Sequence, residues 1–187
     1  EREKTISMNA TPITAGMTKL NIGSGMLYQT DGNIHYYDWS NQNRNYTHGT
    51  AAADIRMNGS AKISVVYTGS MLQIVGQDQP VSFTGEILSV ECGEQHIGVL
   101  RRDSGGGESI LVLTETGEQV DQLLSDDQYI VDFGFYTTTG ERLWMQTLSV
   151  TAGIPTTRIM TYDLTKRAST GVMQVQDQLI DSLYVTA

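Results

Sequence analysis

Proline is scarce in this chain of 187 residues: three, against 19 glycines. That ratio suits many tight turns rather than long rigid loops. There is one cysteine, Cys92, which excludes an internal disulfide. A lone Cys inside an apolar strand is by default a small buried core residue, and no motif sets a His or Asn beside it to make a nucleophile. Basic residues are few as well. Twelve Lys and Arg face 21 Asp and Glu, for a formal net charge of −9. The densest basic steps are Arg101-Arg102 and Lys166-Arg167. A chain of this charge is repelled by phosphate, so neither nucleic acid nor an anionic lipid surface is expected as a partner. The acidity reads as a solubility device. No apolar run has the length of a transmembrane helix, and no secretory leader is recognisable. The first residue is Glu1 rather than Met, which reads as a processed chain. Helical patterning is missing too. No segment of ten or more residues keeps an i, i+3, i+4 apolar stripe, although Val120 to Leu124 could form a single turn.

What remains is strand after strand. From Glu86 to Leu124 the chain alternates apolar runs and glycine-containing turns: Ile87 to Cys92, His96 to Leu100, Ser109 to Thr114, Gln119 to Leu124. Such runs, bounded by Gly93-Glu94-Gln95, by 101–107 and by Glu115-Thr116-Gly117-Glu118, are the signature of an antiparallel meander. A lone meander has two open edges and a thin core, so it needs neighbours. The rest of the chain supplies them. An earlier set runs through Leu20 to Ile22, Met26 to Thr30 and Asn33 to Trp39, with Asp31-Gly32 as a tight hairpin turn and Ser40 to Gly49 as an Asn-rich loop with an edge strand. A second set is Ala52 to Arg56, Ala61 to Tyr67, Met71 to Gly76 and Val81 to Phe83. The last is Tyr129 to Phe135, Arg142 to Leu148, Thr157 to Tyr162 and Gly171 to Val175. Residues 1–15 carry no clear period and read as a tail or lead-in to a single repeat domain over 16–187. Leu179 to Val185 reads as the opening strand of a fifth set that would pair with further repeats, with another chain or with the N-terminal segment.

These sets recur at roughly 40 to 50 residues, the period of four-stranded propeller blades. The best internal match sets Ile34-His35-Tyr36-Tyr37-Asp38-Trp39 against Ile159-Met160-Thr161-Tyr162-Asp163-Leu164, with Ile, Tyr and Asp in register. An ordinary all-β sandwich with similar strand lengths is the plainer alternative. The expected fold is all-β, consecutive four-stranded antiparallel meanders arranged as a partial or incomplete β-propeller.

The order of strand, glycine turn, strand, then a strand ending in Tyr-Asp before a polar turn resembles bacterial propellers of the WD-repeat and quinoprotein-like superfamily. Through Phe83 to Leu88, Ile130 to Phe135 and Arg158 to Asp163 it is similar in particular to a propeller-like domain of membrane-anchored proteins of Gram-positive bacteria. The resemblance covers about residues 20–187. The Gly-His and Trp-Asp pairs of true WD repeats and the tryptophan docking motif of quinoproteins are absent. The resemblance therefore implies a fold and an extracytoplasmic, membrane-anchored setting, and brings neither a cofactor nor catalytic residues.

Weighed for chemistry, the residues point away from catalysis. His35, His48 and His96 lie far apart, without the short spacing of a zinc site. His35 and His96 sit in strands, where a hydrogen-bonded structural role is the default. Asp132-Phe133-Gly134 lacks the companion motifs of a kinase and reads as strand, Gly134 easing close packing or a bulge. Gly105-Gly106-Gly107 lacks the Lys-Ser/Thr of a phosphate cradle. Asp103 and Asp126-Asp127 read as solvated or capping turn residues rather than calcium ligands. Asn9, Asn45 and Asn58 open glycosylation-type triplets that matter only in a secreted eukaryotic protein. Among the aromatics Tyr28, Tyr36, Tyr37, Trp39 and Tyr46, alternation sends Tyr37 and Trp39 to one face and Tyr36 to the other. Core packing is the plainer role, while Tyr36, Trp39 and Tyr46 are the candidate binding residues. Trp144, between Leu143 and Met145, is expected to be buried. No cofactor or metal is expected. The function expected is non-catalytic binding of a protein partner outside the cytoplasm, with a glycan-binding module as the alternative and a propeller-based hydrolase after it.

Overall fold

The computed structural model describes residues 17–30, 32–50, 54–125, 128–137, 141–178 and 180. The expected lead-in at 1–15, the Asp126-Asp127 pair and all of the Leu179 to Val185 strand except Ile180 lie outside or almost outside them. Among the described residues sixteen strands follow one another. The first sheet is β1 (Lys19–Ile22), β2 (Gly25–Thr30), β3 (Asn33–Asp38) and β4 (Tyr46–Gly49). The second is β5 (Arg56–Gly59), β6 (Ser64–Thr68), β7 (Met71–Ile74) and β8 (Val81–Ser82). The third is β9 (Glu86–Cys92), β10 (His96–Arg102), β11 (Glu108–Thr114) and β12 (Gln119–Leu124). The fourth is β13 (Tyr129–Thr137), β14 (Glu141–Thr151), β15 (Ile154–Asp163) and β16 (Ala168–Gln176). Each sheet is a plain antiparallel meander in chain order, so every strand pairs with its sequence neighbour. The hairpin chemistry explains this locality. Thr30 pairs with Asn33 across the first hairpin, and Gly32 takes a φ of +75°, which a side chain would oppose.

A sheet with apolar residues on both faces must be covered twice, and each sheet here packs on its neighbours in the sequence. Ile22, Leu27, Ile34 and Tyr36 of the first sheet meet Ile55 and Val66. Val65, Tyr67, Leu72 and Ile74 of the second meet Ile87, Val90, Ile97 and Leu113 of the third. Leu100, Ile110, Val112 and Leu123 of the third meet Phe133, Leu143 and Met145 of the fourth. The first strands β1, β5, β9 and β13 neighbour one another in turn. Successive four-stranded meanders, stacked face to face with first strands adjacent, are propeller blades. Among the described residues no core cluster joins the fourth sheet to the first, so the arrangement is a partial propeller.

Two expectations are corrected. The second sheet's first strand is Arg56–Gly59 and runs on past Arg56, where the expected Ala52 to Arg56 run ended; Ala52 and Ala53 lie outside the described residues. Ser60 Oγ accepts the amides of Lys62 and Ile63, closing a turn that pairs Gly59 with Ser64 and so fixes the register. Trp144 is half-buried rather than core. Alternation gives the core side to Leu143 and Met145, and Trp144 lies on the other face over Gly134, where an added Cβ would stand 2.9 Å from the indole nitrogen. Close packing is thus the role of Gly134, with a bulge in β13 between Ile130 and Asp132. Gln119–Leu124 is strand, as its place in the third set implied, and the alternative of a single turn over Val120 to Leu124 falls away.

Candidate functional site

The first and second sheets diverge into a wedge. The reason lies in strand length: β4, β5 and β7 have four residues each and β8 has two. Strands this short present few side chains to the seam between the two sheets. One end of the wedge is a polar cleft of about 270 Å³.

Its walls come from the loop after β3 and from the turn before β6. Tyr36 and Tyr46 are cross-strand partners on one face of the first sheet, and both line the cleft together with Asn43, Arg44, Lys62 and Ser64. Tyr36 is 4% exposed, and its hydroxyl fits only because residue 25 is glycine: a Cβ there would lie 2.5 Å from that oxygen. The Arg44 guanidinium lies 5.7 Å from the Tyr36 ring centre, a cation–π distance. Tyr46 donates its hydroxyl to Gln77 O at 2.9 Å, tying the first sheet to the second. Burial pushes both phenols above their ordinary range. Trp39 stands apart from these two. It follows the last residue of β3, is 55% exposed, and is held through its amide to Ser24 O at 3.1 Å. The structure thus brings Tyr36 and Tyr46 together as a wall and leaves Trp39 free on the loop above.

Asp38 organises that loop. Its Oδ1 accepts the amides of Ser40 and Asn41, each at 2.9 Å, and the hydroxyls of Ser40 at 2.8 Å and Ser24 at 3.1 Å. Its Oδ2 lies 3.3 Å from Arg44 Nη1, an ion-pair distance without hydrogen-bond geometry. The Ser40 hydroxyl first, with the two amides and Ser24, holds the Asp38 carboxyl below the usual carboxylate range despite burial. Asn45 Oδ1 accepts the Asp38 amide, and the single 3-10 turn Gln42–Arg44 closes the loop.

Asp163 repeats this at the same place in the fourth sheet, the end of the third strand. Its Oδ1 accepts the amides of Thr165 and Lys166 at 3.1 and 3.0 Å, and Arg142 stands 3.6 Å from Oδ2. The Ile, Tyr and Asp match in the sequence therefore has a physical cause, a carboxylate that caps the turn into the fourth strand.

Other ionisable groups act as clasps between sheets. Glu141 of the fourth sheet accepts the amides of Glu94 and Gln95 and the His96 Nδ1 contact at 2.7 Å in the third. Burial alone would raise its carboxyl, but the His96 contact and the two amides outweigh it and hold it low. Glu108 takes Arg102 on one oxygen and the Ile130 amide, at 2.8 Å, on the other. Arg56 donates to Ile87 O and Leu88 O, both at 2.6 Å. Asn58 bridges to Glu91 and the Cys92 amide. His35, on the outer face of the first sheet, contacts Thr30 and Thr47 and stacks on Tyr28 at 4.9 Å. Asp103 Oδ1 caps its hairpin through Gly105 and Gly107. Burial drives the Cys92 thiol far up, away from thiolate chemistry. Among the described residues no three His, Cys, Asp or Glu side chains converge. Sequence reasoning missed Arg44 and Lys62 as cleft residues, because nothing local distinguishes a loop Arg or Lys that meets an aromatic from one that meets water.

No protein-family model matches the chain, and no curated protein matches it. Among solved structures it is similar to the crystal structure of Kluyvelomyces marxianus Hsv2, at 12% identity and a TM-score of 0.32, over 84% of this chain and 83% of that one. At those values the likeness carries nothing about function.

Proposed function

We propose that this chain is a non-catalytic binding module that docks a protein partner outside the cytoplasm, on the loop end of the wedge between the first two sheets. The observation that carries the reading is Trp39, whose indole is 55% exposed on the loop that walls the polar cleft. Trp, Tyr and Arg, all present on this loop and the wall below it, are the residue types enriched at interface hot spots. The use of Asp38, Glu108, Glu141 and Asp163 as turn caps and clasps supports a scaffold rather than a catalyst. The extracytoplasmic, membrane-anchored setting rests on the family resemblance alone.

The experiment is capture of partners from an envelope fraction with the wild type and Trp39→Ala. Truncation of a hot-spot tryptophan costs about 2 kcal/mol or more, so the captured partner should bind roughly 30-fold more weakly to the variant. Equal capture by both would remove Trp39 from the reading. A second reading, a glycan site, is favoured by one observation: Asn41, Asn43 and Asn45 share this loop with Trp39, an indole face on which a sugar could stack. Binding on a glycan array that is lost in Trp39→Ala would select it.

The proposal extends to strand pairing with further repeats or another chain at the outer face of the fourth sheet. Thr157 Oγ1 donates to Gln178 O at 3.0 Å and Gln146 Nε2 to Ile180 O at 2.7 Å, so the main chain after β16 returns across that face. A further sheet would belong there. Sedimentation that stays monomeric at every concentration, for the longest native chain, would count against pairing with another copy.

A further inference from the structure

The polar cleft at the loop end of the wedge gathers cations in a chain that has few. Arg44 and Lys62 both line it, and no Asp or Glu does among the described residues. Yet acidic residues outnumber basic ones by 21 to 12 along the chain. Asn43, Asn45 and Ser64 add neutral polar groups to the walls.

Both cations are open to a further partner. Lys62 Nζ stands 3.3 Å from Glu94 Oε2, and the two side chains are 59% and 56% exposed. An ion pair this open contributes little, so its exchange for another carboxylate costs little. The Arg44 side chain is 40% exposed but positioned from three sides. The Tyr36 ring centre lies 5.7 Å away, Lys62 O accepts Nη2 at 3.4 Å, and Asp38 Oδ2 stands 3.3 Å from Nη1. Asp38 meets that charge only in part. The contact lacks hydrogen-bond geometry, and Oδ1 of the same carboxylate is engaged by four donors of its own loop and of Ser24. A guanidinium has five N–H groups in a fixed fork. Among the described residues one of them donates, to Lys62 O.

Ser64 supplies the inner wall. It stands two residues before Val66, which packs on the first sheet, so alternation turns Ser64 to the same side. It is 5% exposed, and its hydroxyl makes no hydrogen bond among the described residues. Unlike Gln73 Oε1 and Asp38 Oδ2, that oxygen is not sealed off. A nearly buried hydroxyl with no partner calls for one.

We propose that this cleft takes an Asp or Glu side chain of the protein partner, which rests on that partner docking at the loop end of the wedge. A carboxylate offers acceptors to guanidinium, ammonium and hydroxyl together. A side-chain amide brings no charge for the two cations to meet. A cationic side chain is repelled by both. A phosphate dianion would set twice the charge beside Asp38 and Glu94, in a chain of net charge −9.

The test is titration of the full chain with acetyl-Gly-Glu-Gly-amide and with its Gln counterpart, read on the Arg44 Nε–H resonance and the Asn43 and Ser64 amides. The Glu peptide should give saturable shifts, and the Gln peptide should bind roughly tenfold more weakly or worse. Lys62→Met keeps the stem and removes the ammonium, while Ser64→Ala removes only the hydroxyl. Each should weaken the Glu peptide roughly threefold or more. Lys166→Met makes the same change in net charge before β16 and should leave binding as in the wild type. Similar affinity for the two peptides, no saturable shifts, or equal effects of Lys62→Met and Lys166→Met would each overturn the proposal. So would inorganic phosphate binding more tightly than the Glu peptide. Capture from the envelope fraction separates this from the docking reading. A partner lost by Trp39→Ala but held by Lys62→Met as by the wild type removes the acidic contact and leaves the docking site. A Glu peptide that binds as expected, with capture unchanged in Trp39→Ala, removes Trp39 and leaves the carboxylate site.

Discussion

The seam between the first and second sheets and the seam between the third and fourth are built from the same kind of element, yet they differ in how they are closed. In the latter, strands of six to eleven residues face each other. Leu100, Ile110, Val112, Phe133, Leu143 and Met145 interdigitate there. Carboxylates reach across to main-chain amides, Glu141 to Glu94 and Gln95, Glu108 to Ile130. Even a glycine is used up: a Cβ on Gly98 would stand 2.5 Å from Phe133. In the former, strands of two to six residues leave a wedge with clefts at both ends, and Tyr46 with Gln73 is the bridge between them. There a Cβ on Gly59 would also stand 2.5 Å from Ile22, at the inner strands, but out on the edge strand a Cβ on Gly49 would meet nothing nearer than Gly32 O at 3.9 Å among the described residues. Rigidity sits at one seam and accessible surface at the other. That division is the one binding scaffolds use, with recognition on a less filled region held by a well-packed one.

The largest contrast should come from core truncation. Leu143→Ala should cost about 3 to 5 kcal/mol, and Ile34→Ala, whose side chain already borders a cleft, about 2 kcal/mol, both by equilibrium denaturation. Equal losses would mean that the wedge is as well packed as the other seam. Glu141→Gln comes next, at about 1 to 3 kcal/mol, since it removes a buried charge that two main-chain amides and His96 face. The sign of the pH effect follows from the same carboxylate. Its native pKa lies below the unfolded value of about 4.3. Its contribution is therefore present above about pH 4.3 and is lost as pH falls through the lower native value. Acid titration of wild type and Glu141→Gln should converge at low pH, and parallel curves would refute the assignment. The glycine pair gives a smaller and cleaner test. Gly98→Ala should cost about 1 to 3 kcal/mol by overpacking, while Gly49→Ala should stay within about 0.5 kcal/mol of wild type. The smallest effect belongs to Tyr162→Phe, which deletes a 2.8 Å bond from its hydroxyl to Asp121 across the seam of the third and fourth sheets. A loss of about 0.5 to 1.5 kcal/mol is expected. In the wild type the phenol, pushed up to about 12 by burial and then by Asp121, should escape ultraviolet titration at pH 10.

The strands, their order and their pairing were legible because the information is local. Alternation, Gly-containing turns and the Asp-Gly hairpin each act within a few residues, and within each sheet every strand pairs with its neighbour along the chain. The match that sets Asp38 against Asp163 was legible for the same reason, but their capping role was not read from it: only the structure shows each carboxylate accepting the amides two and three residues on. Even the structural roles of His35 and His96 followed from their place in strands, though the partner of His96 lies 45 residues away. Where the pattern failed, it failed on exposure. Trp144 alternates correctly with Leu143 and Met145, but no described sheet covers its face, and alternation does not say which face is covered.

By itself, then, the sequence determined an all-β chain of repeated meanders, the turns between strands and the carboxylates that cap them, because these depend on neighbours in the chain. Only the tertiary structure decided that one seam is filled and another gapes, that Arg44 and Lys62 meet Tyr36 and Tyr46, and that Gln73 holds an oxygen without a donor. Those facts depend on how two sheets pack and on which side chains of separate strands and loops reach each other. No local pattern encodes such distances.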